Sequence, residues 1–390
     1  MIPRLVEHLV LSSLVSSGKI ILVLGARQVG KTTLVKDIGK KLKGKGKILY
    51  LNCDIDEERS LVDTTSKILL ERSLSDAGVL IIDEAQRLDN PGLTLKIIHD
   101  NFPQIKVLAT GSSSFDLKNK LSDPLTGRYL DFILYPFSFA EVLAAGELSL
   151  NAALLKKQAD TLLPQAMLYG FYPDIYLENN PRQKQVLLER IVESYLFKDI
   201  LSFQRVRNSE AIKDLTRAIA YQIGSEINEN ELSNRLRIDR KTVVSYLDIL
   251  EKAYIIVSVH PYSKNPRREI GKNYKIYFID LGIRNALIGD FNPVQLRSDI
   301  GFLWENFLFI ERKKLYANQG KSIESNFWRS YSGAEVDYIE KATNEEIKAF
   351  EFKYGTGSLS KGARSFINEY GIKVQLINQE NYLDFIQKKR

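Results

Sequence analysis

Apolar residues along this chain change period several times, and each change marks an element. Ile20 to Leu24 is apolar without interruption, followed by a glycine-bearing stretch and then by Leu34, Ile38 and Leu42 at helical spacing. The short unbroken run predicts a strand buried on both faces of a parallel sheet, and the 3.6-residue period predicts a helix. Val79 to Ile82 and the run in "IKVLATGSSSF" predict two more buried strands, and Arg128 stands just before a fourth or fifth in "LTGRYLDFILYPF". From about Phe139 to Asn208 the pattern is helical, interrupted by "YGFYPDIY", whose Gly and Pro punctuate helices. Glu229 to Leu236 reads as a short helix, "RIDR" as a tight turn, and Lys241 to Ala253 as a second helix with Val244, Leu247 and Leu250 facing a core. Two apolar β runs then flank a basic loop, Lys264 to Lys275. Helix, turn, helix and basic hairpin together describe a winged helix.

The last third alternates afresh. "GFLWENFLFIERKKLYAN" is apolar nearly all round, through Phe302, Leu303, Trp304, Phe307, Leu308, Phe309 and Ile310, which predicts a buried helix. Two strands follow, joined by a turn at "KATNEE". In the second, "AFEFKYG", a period of two puts Glu351 and Lys353 on one face and Phe350 and Phe352 on the other.

Composition narrows the class. A chain of 390 residues, 44% hydrophobic and 26% charged, has room for two to four globular units with full cores. A single cysteine, Cys53, excludes an internal disulfide framework, and the three scattered histidines suggest no zinc-type cluster. With no signal-like N-terminus and no membrane-length apolar window, the cytoplasm is the expected compartment and no membrane partner is expected. The net charge of +7 is compatible with nucleic-acid binding without establishing it.

The first candidate chemistry lies in "GARQVGKTT", Gly25, Ala26, Arg27, Gln28, Val29, Gly30, Lys31, Thr32 and Thr33, which fits G-x-x-x-x-G-K-T between strand and helix. Glycines let the backbone close around phosphates, and the loop N–H groups and helix N-terminus favour an anion. Lys31 is expected to reach the β- and γ-phosphates of ATP, and the Thr32 hydroxyl to ligate Mg²⁺. Asp83 and Glu84 end the Val79–Ile82 strand, at the sheet edge where open α/β sheets bind ligands. Asp83 is the candidate for the Mg²⁺ shell and Glu84 for orienting or deprotonating the attacking water. Hydroxyls from Thr110 to Ser114 end the next strand, and Arg128 is of the type that neutralises charge developing in phosphoryl transfer.

The order GARQVGKT, LIIDEAQ, ATGSSS, LTGRYLDFILYPFSF resembles the AAA+/STAND-type P-loop ATPases of archaea and bacteria, and more closely the prokaryotic group whose AAA domain precedes a further C-terminal domain. The resemblance implies Gly25–Thr32 as the Walker A loop, Asp83 and Glu84 as Walker B, Ser112 as a sensor and Arg128 at an arginine-finger position. It also implies a helical lid after the core.

On the second helix of the helix-turn-helix, Arg240, Lys241, Thr242, Ser245 and Tyr246 gather toward the end that would enter a major groove, while Arg267, Arg268 and Lys272 in the hairpin loop would touch phosphates. DNA is the expected partner, with packing against a protein or another copy of the chain as the alternative. Glu305 in the buried helix, Asp337 on a strand, and Glu351 with Lys353 on the next match the layout of PD-(D/E)xK nucleases, with Val336 where that motif has Pro. The resemblance implies Glu305, Asp337 and Glu351 as Mg²⁺ ligands and Lys353 beside the water. Clustered carboxylates raise one another's pKa unless a cation sits among them.

The expected architecture is α/β: an AAA-type P-loop domain with a parallel sheet (1–140), a helical lid (141–208), a winged helix (209–275) and a restriction-endonuclease-like domain (276–390). The expected activity is ATP hydrolysis controlling a DNA-binding, nuclease-like region. A regulatory switch or scaffold that binds DNA or protein without cleavage is the rival; a small-molecule kinase is disfavoured by Asp83-Glu84 and the Ser-rich strand end.

Overall fold

The computed structural model describes residues 2–42, 44, 46–111, 125–146, 151–196, 208–263, 273–330, 332–342 and 346–387. The chain divides into two compact units, the first essentially Met1–Pro136 and the second Phe137–Glu251, Ile255–Ala317 and Lys321–Arg390. Among the described residues no helix is long and apolar enough to cross a membrane.

The first unit opens with α1 (Glu7–Ser16), which leads into strand β1 (Ile20–Leu24). Every residue of β1 is buried, as its unbroken apolar run predicts. Helix α2 (Lys31–Lys41) follows, then β2 (Lys47–Asn52), the short helices α3 (Asp56–Ser60) and α4 (Lys67–Leu74), β3 (Ala77–Asp83), α5 (Pro91–Asn101), β4 (Lys106–Gly111) and β5 (Tyr129–Ile133). The five strands form one sheet in the order β2-β3-β4-β1-β5. All four pairings are parallel. The C-terminal ends of β1, β3 and β4 therefore share an edge. Helix α2 buries Leu34, Val35 and Ile38, the apolar stripe that the helical spacing marks.

The second unit begins with helices α6 (Phe139–Ala145), α7 (Ala152–Tyr169), α8 (Pro173–Leu177) and α9 (Pro181–Arg190). Gly170 ends α7 with φ +64, and a Cβ there would lie 1.9 Å from Asp280 Oδ1, so the "YG" step admits only glycine. Next come α10 (Ser209–Tyr221), β6 (Glu226–Ile227), α11 (Glu229–Leu236), α12 (Arg240–Lys252), β7 (Ile256–Pro261) and β8 (Tyr274–Phe278). Asn228 caps α11 by accepting from Asn230 N and Glu231 N. Helix α12 buries Val243, Tyr246, Leu247, Ile249 and Leu250, whereas Val244 is 43% exposed. The expected inward stripe is therefore corrected by one position at its start, and Tyr246 turns into the core, its hydroxyl against the backbone of Asn208.

The chain continues through α13 (Leu281–Ile288), α14 (Ile300–Ala317), β9 (Glu324–Arg329), β10 (Glu335–Lys341), β11 (Ile347–Phe352), α15 (Lys361–Tyr370), β12 (Val374–Ile377) and α16 (Tyr382–Ile386). Helix α14 is buried through most of its length, as expected, but Phe302 in its first turn is 44% exposed. One seven-stranded sheet runs β12-β11-β10-β9-β7-β8-β6. Its join is the short parallel pairing of β7 with β9, His260 to Asn326 and Pro261 to Phe327. On one face Trp328, Val336, Ile339, Ala349 and Val374 pack with Ala363 and Phe366 of α15. On the other, Tyr338, Phe350 and Phe352 meet Phe309 of α14 and Phe385 of α16.

Candidate functional site

Between β1 and α2 the backbone turns sharply enough to need its glycines. Gly25 has φ +155, and a Cβ there would sit 2.2 Å from Leu134 O; Gly30 has φ +93 at the N-terminus of α2. Gln28, a non-glycine, also holds a left-handed backbone, φ 61, a strained conformation of the kind found at binding loops. Val29 and Ala26 are buried, Arg27 is partly exposed, Thr32 is partly exposed and Thr33 faces solvent. Arg4 donates to Val29 O at 2.8 Å and to Tyr135 O at 2.5 Å, bracing the loop from the chain's start. Lys31 is 5% exposed. Its Nζ donates to Gly25 O (3.0 Å) and Ala26 O (2.8 Å), so the ammonium lies folded over the loop that it serves. These residues fit a phosphate chain: a cation and a helix N-terminus face one concave loop.

Beside it, at the end of β3, Asp83 is 1% exposed. Tyr50 of β2 donates its hydroxyl to Asp83 Oδ2 at 2.8 Å, and Thr110 of β4 donates to Oδ1 at 2.5 Å. Burial, then the bond to Asp83, pushes the Tyr50 phenol well above its usual range, so it stays protonated and donating. Thr110 Oγ1 also accepts from Glu84 N at 2.9 Å. Glu84 holds φ 57, and its carboxylate accepts from the Gln86 side-chain amide. Lys31, Asp83 and Glu84 thus stand at one sheet edge. Ser112 lies outside the described residues.

Arg128 does not join them. Ile20 N donates to Arg128 O at 3.0 Å, which puts this arginine at the N-terminal edge of β1, the end opposite the loop. Four residues of parallel strand, about 13 Å, separate the two edges. Its guanidinium pairs instead with Asp100 at 2.8 Å and holds that carboxyl down to about 2. An arginine-finger position leaves open whether Arg128 serves its own chain or a neighbouring copy, and this placement sets it away from the loop of its own chain.

In the second unit, three carboxylates gather: Glu305 of α14, and Glu335 and Asp337 of β10, each with an oxygen within 4.8 Å of the others. Lys275 of β8, buried, has its Nζ 2.7 Å from Glu305 Oε1, meets Glu335 Oε1, and sits 5.4 Å over the Phe327 ring. Tyr277 donates to Glu305 Oε1 at 2.5 Å. Burial pulls the Lys275 pKa down, but Glu305, Glu335 and Asp337 outweigh it and the ammonium is held above its usual range. Asp337 is pushed up to about 7 by burial and then by Glu305, with Lys275 opposing. The oxygen donors suit a hard divalent cation such as Mg²⁺.

Glu351 is not in this group, which corrects its expected convergence with Glu305 and Asp337. The β9–β10 register slips between Val336 and Ile339. By the β10–β11 register Asp337 would stand opposite Glu351 on one face; the bulge turns Asp337 toward α14 instead. There Asp337 Oδ2 accepts from Phe352 N at 2.7 Å. Glu351 shares the face of Ala349, accepts from Ser360 N at the start of α15 (2.9 Å), and pairs with Lys353 at 3.0 Å. Lys353 and Glu351 are a pair, as their spacing predicts, and the charges of Asp337 and Glu305 also act on the Lys353 ammonium, helping to hold it above its usual range.

Glu335, Lys275, Tyr50 and the two hydrogen bonds of the Thr110 hydroxyl escape a linear reading. Lys275 carried one signal, a lone charge inside the apolar run "YKIYF"; Glu335 another, two acids two apart in "EVD". Of the residues expected to face DNA, Lys241 is exposed and Thr242 and Ser245 are partly so, at the start of α12. Arg240 is paired with Glu229 at 2.7 Å. Arg267, Arg268 and Lys272 lie outside the described residues.

Residues 17–143 match a family model described as an AAA domain. Residues 160–293 and 300–385 match two models, each described as a domain of unknown function. An uncharacterized protein of Haemophilus influenzae is 25% identical over 350 residues, 86% of this chain and 83% of that one. Another, of Methanocaldococcus jannaschii, is 24% identical over 342 residues, 85% and 74% of the two chains. AMPPCP-bound DnaA from Aquifex aeolicus aligns over 63% of this chain and 86% of its own at 20% identity and a TM-score of 0.29, a likeness too low to carry an argument.

Proposed function

We propose that this P-loop protein, AAA-type over residues 17–143, binds ATP with Mg²⁺ and hydrolyses it to set the state of a DNA-binding, nuclease-like C-terminal region in the cytoplasm. The observation that carries the reading is the shared sheet edge: buried Lys31 folded over Gly25 and Ala26, with Asp83 and Glu84 beside it. In this reading Lys31 leaves the loop carbonyls for the β- and γ-phosphates, which its chain length and position allow. Thr32 and Asp83 are the residues for Mg²⁺, which would neutralise charge between those phosphates. Glu84 polarises the attacking water, and Arg128 reaches only the loop of a neighbouring copy. The order α10-β6-α11-α12-β7-β8 supports the winged-helix reading, with DNA as partner through Lys241, Thr242, Ser245, Arg240 and the hairpin loop. Glu305, Glu335 and Asp337 form the divalent-cation site of the nuclease-like reading.

One observation favours a second reading, a switch or scaffold that binds without cleaving: Lys275 already supplies a cation to the carboxylates. A single experiment separates these. Steady-state ATP hydrolysis and Mg²⁺-dependent duplex cleavage are measured for the full chain, Lys31→Ala, Glu84→Gln and Asp337→Ala. Lys31→Ala should lose nucleotide binding, and Glu84→Gln should keep ATP bound while turnover falls by about two orders of magnitude. Unchanged hydrolysis in Glu84→Gln sinks the water-activating role. Cleavage that disappears in Asp337→Ala with hydrolysis intact favours the nuclease, and DNA binding without cleavage favours the switch.

A further inference from the structure

We infer that Tyr50 and Thr110 are positioning residues for Asp83, with Tyr50 governing its hold on the metal and Thr110 tying it to Glu84. The inference rests on the ATPase reading above. Asp83 ends the β3 strand, and its two neighbours in the sheet, β2 and β4, each send one hydroxyl to it: Tyr50 to Oδ2 and Thr110 to Oδ1. A carboxylate oxygen has two acceptor sites, so each oxygen of Asp83 keeps one for a water or cation. Aspartate χ2 is a broad, soft torsion. A carboxylate held from both sides cannot use that freedom, and its remaining lone pairs stay fixed in direction.

The two hydroxyls do different work. The Tyr50 hydroxyl bonds Asp83, and its ring is held independently, with Lys36 Nζ 5.0 Å above it, so Tyr50→Phe deletes one donor and keeps the packing. Thr110 uses one oxygen twice, donating to Asp83 and accepting from the backbone N–H of Glu84. That N–H belongs to a residue in the left-handed region, φ 57, a conformation that persists only when its surroundings hold it. Thr110 therefore ties the Asp83 carboxylate to the backbone from which the Glu84 side chain departs.

The test is ATP hydrolysis by the full chain titrated with MgCl₂, with thermal unfolding recorded alongside. Tyr50→Phe should raise the half-saturating Mg²⁺ by about five- to tenfold, the loss of one charge-assisted hydrogen bond, with kcat at saturating Mg²⁺ falling by less. Thr110→Val should lower kcat by about tenfold or more even at saturating Mg²⁺, and Thr110→Ser, which keeps the hydroxyl, should restore most of it. A purely structural role would lower the unfolding midpoint and leave the Mg²⁺ titration in place. If wild type hydrolyses ATP and Tyr50→Phe titrates as wild type does, the Tyr50 assignment is overturned. Equal kcat in Thr110→Val and wild type overturns the Thr110 half. Should Thr110→Val not fold, a Thr110→Ser kcat as low as that of Glu84→Gln overturns it equally. A wild type with no hydrolysis at all overturns the ATPase reading and this inference together.

Discussion

Asp299 lies between Arg284 and Arg297, each 2% or less exposed at the side chain, at 2.6 and 2.8 Å. Arg297 grips it with two bonds, Nε to Oδ1 and Nη2 to Oδ2, both 2.8 Å. Burial raises the Asp299 pKa, but the two guanidiniums outweigh it and hold the carboxyl down to about 2, against 3.8 when free. Because the folded value is the lower one, the unfolded chain binds more protons between the two. The pair's contribution is complete above about pH 4 and is lost as pH falls through about 2. The gap is worth about 2 kcal/mol. Asp299→Asn should lower the urea-unfolding stability at pH 7 by at least that much, since it leaves two buried arginines short of a partner. The deficit should shrink as pH drops from 5 to 2; a deficit that stays constant over that window would refute the assignment. At this scale the candidate nucleotide site was legible in the chain because its residues are neighbours in sequence: Gly25, Gly30, Lys31 and Thr32 sit within one loop, and Asp83 and Glu84 are adjacent. Tyr50 and Thr110 were not, because they reach Asp83 across two strand pairings that no local spacing encodes.

Elements show the same division. Strands β1, β3 and β4 and helices α11, α12 and α14 follow from period and capping, within a residue or two. What escaped was a one-residue defect: the bulge in β10 puts Asp337 and Tyr338 on the α14 face in succession, where strict alternation would separate them. Asp337 gathers there with Glu305 and Glu335. The N-terminal end of β5 yields a prediction of its own. Arg128 stands there, away from its own loop, so any catalytic contribution is made to another copy. Arg128→Ala should then cut hydrolysis on the order of a thousandfold. Mixing it with equally inactive Lys31→Ala should recover up to about a quarter of wild-type activity, the fraction of interfaces in a random oligomer that pair an intact loop with an intact arginine. No recovery on mixing would reduce Arg128 to a surface partner of Asp100.

At the scale of the molecule, the second unit has a single seven-stranded sheet where the chain's patterns suggest two modules. The pairing of β7 with β9 makes the join, and Lys275 of β8 reaches across it to Glu305 and Glu335. Residues 300–385 expressed alone would lose both, exposing the β9 edge and leaving buried acids without their lysine, at a cost of about 3–5 kcal/mol. That fragment should aggregate or stay unfolded by circular dichroism, whereas residues 137–390 should unfold in one cooperative step. A soluble, cooperatively folded 300–385 fragment would show the join to be dispensable.

The lysine that closes this join also ties together two stretches that heredity could otherwise deal separately. The matched segments 160–293 and 300–385 meet between α13 and α14, where a recombination breakpoint would look harmless on a linear map. It would not be: a C-terminal segment transplanted behind a hairpin with an apolar residue at the place of Lys275 would arrive with its acids unpaired. Lineages that keep Glu305 and Glu335 are therefore expected to keep a cation at this position of β8, and those that lose it to lose the acids as well, so that the two segments descend as one.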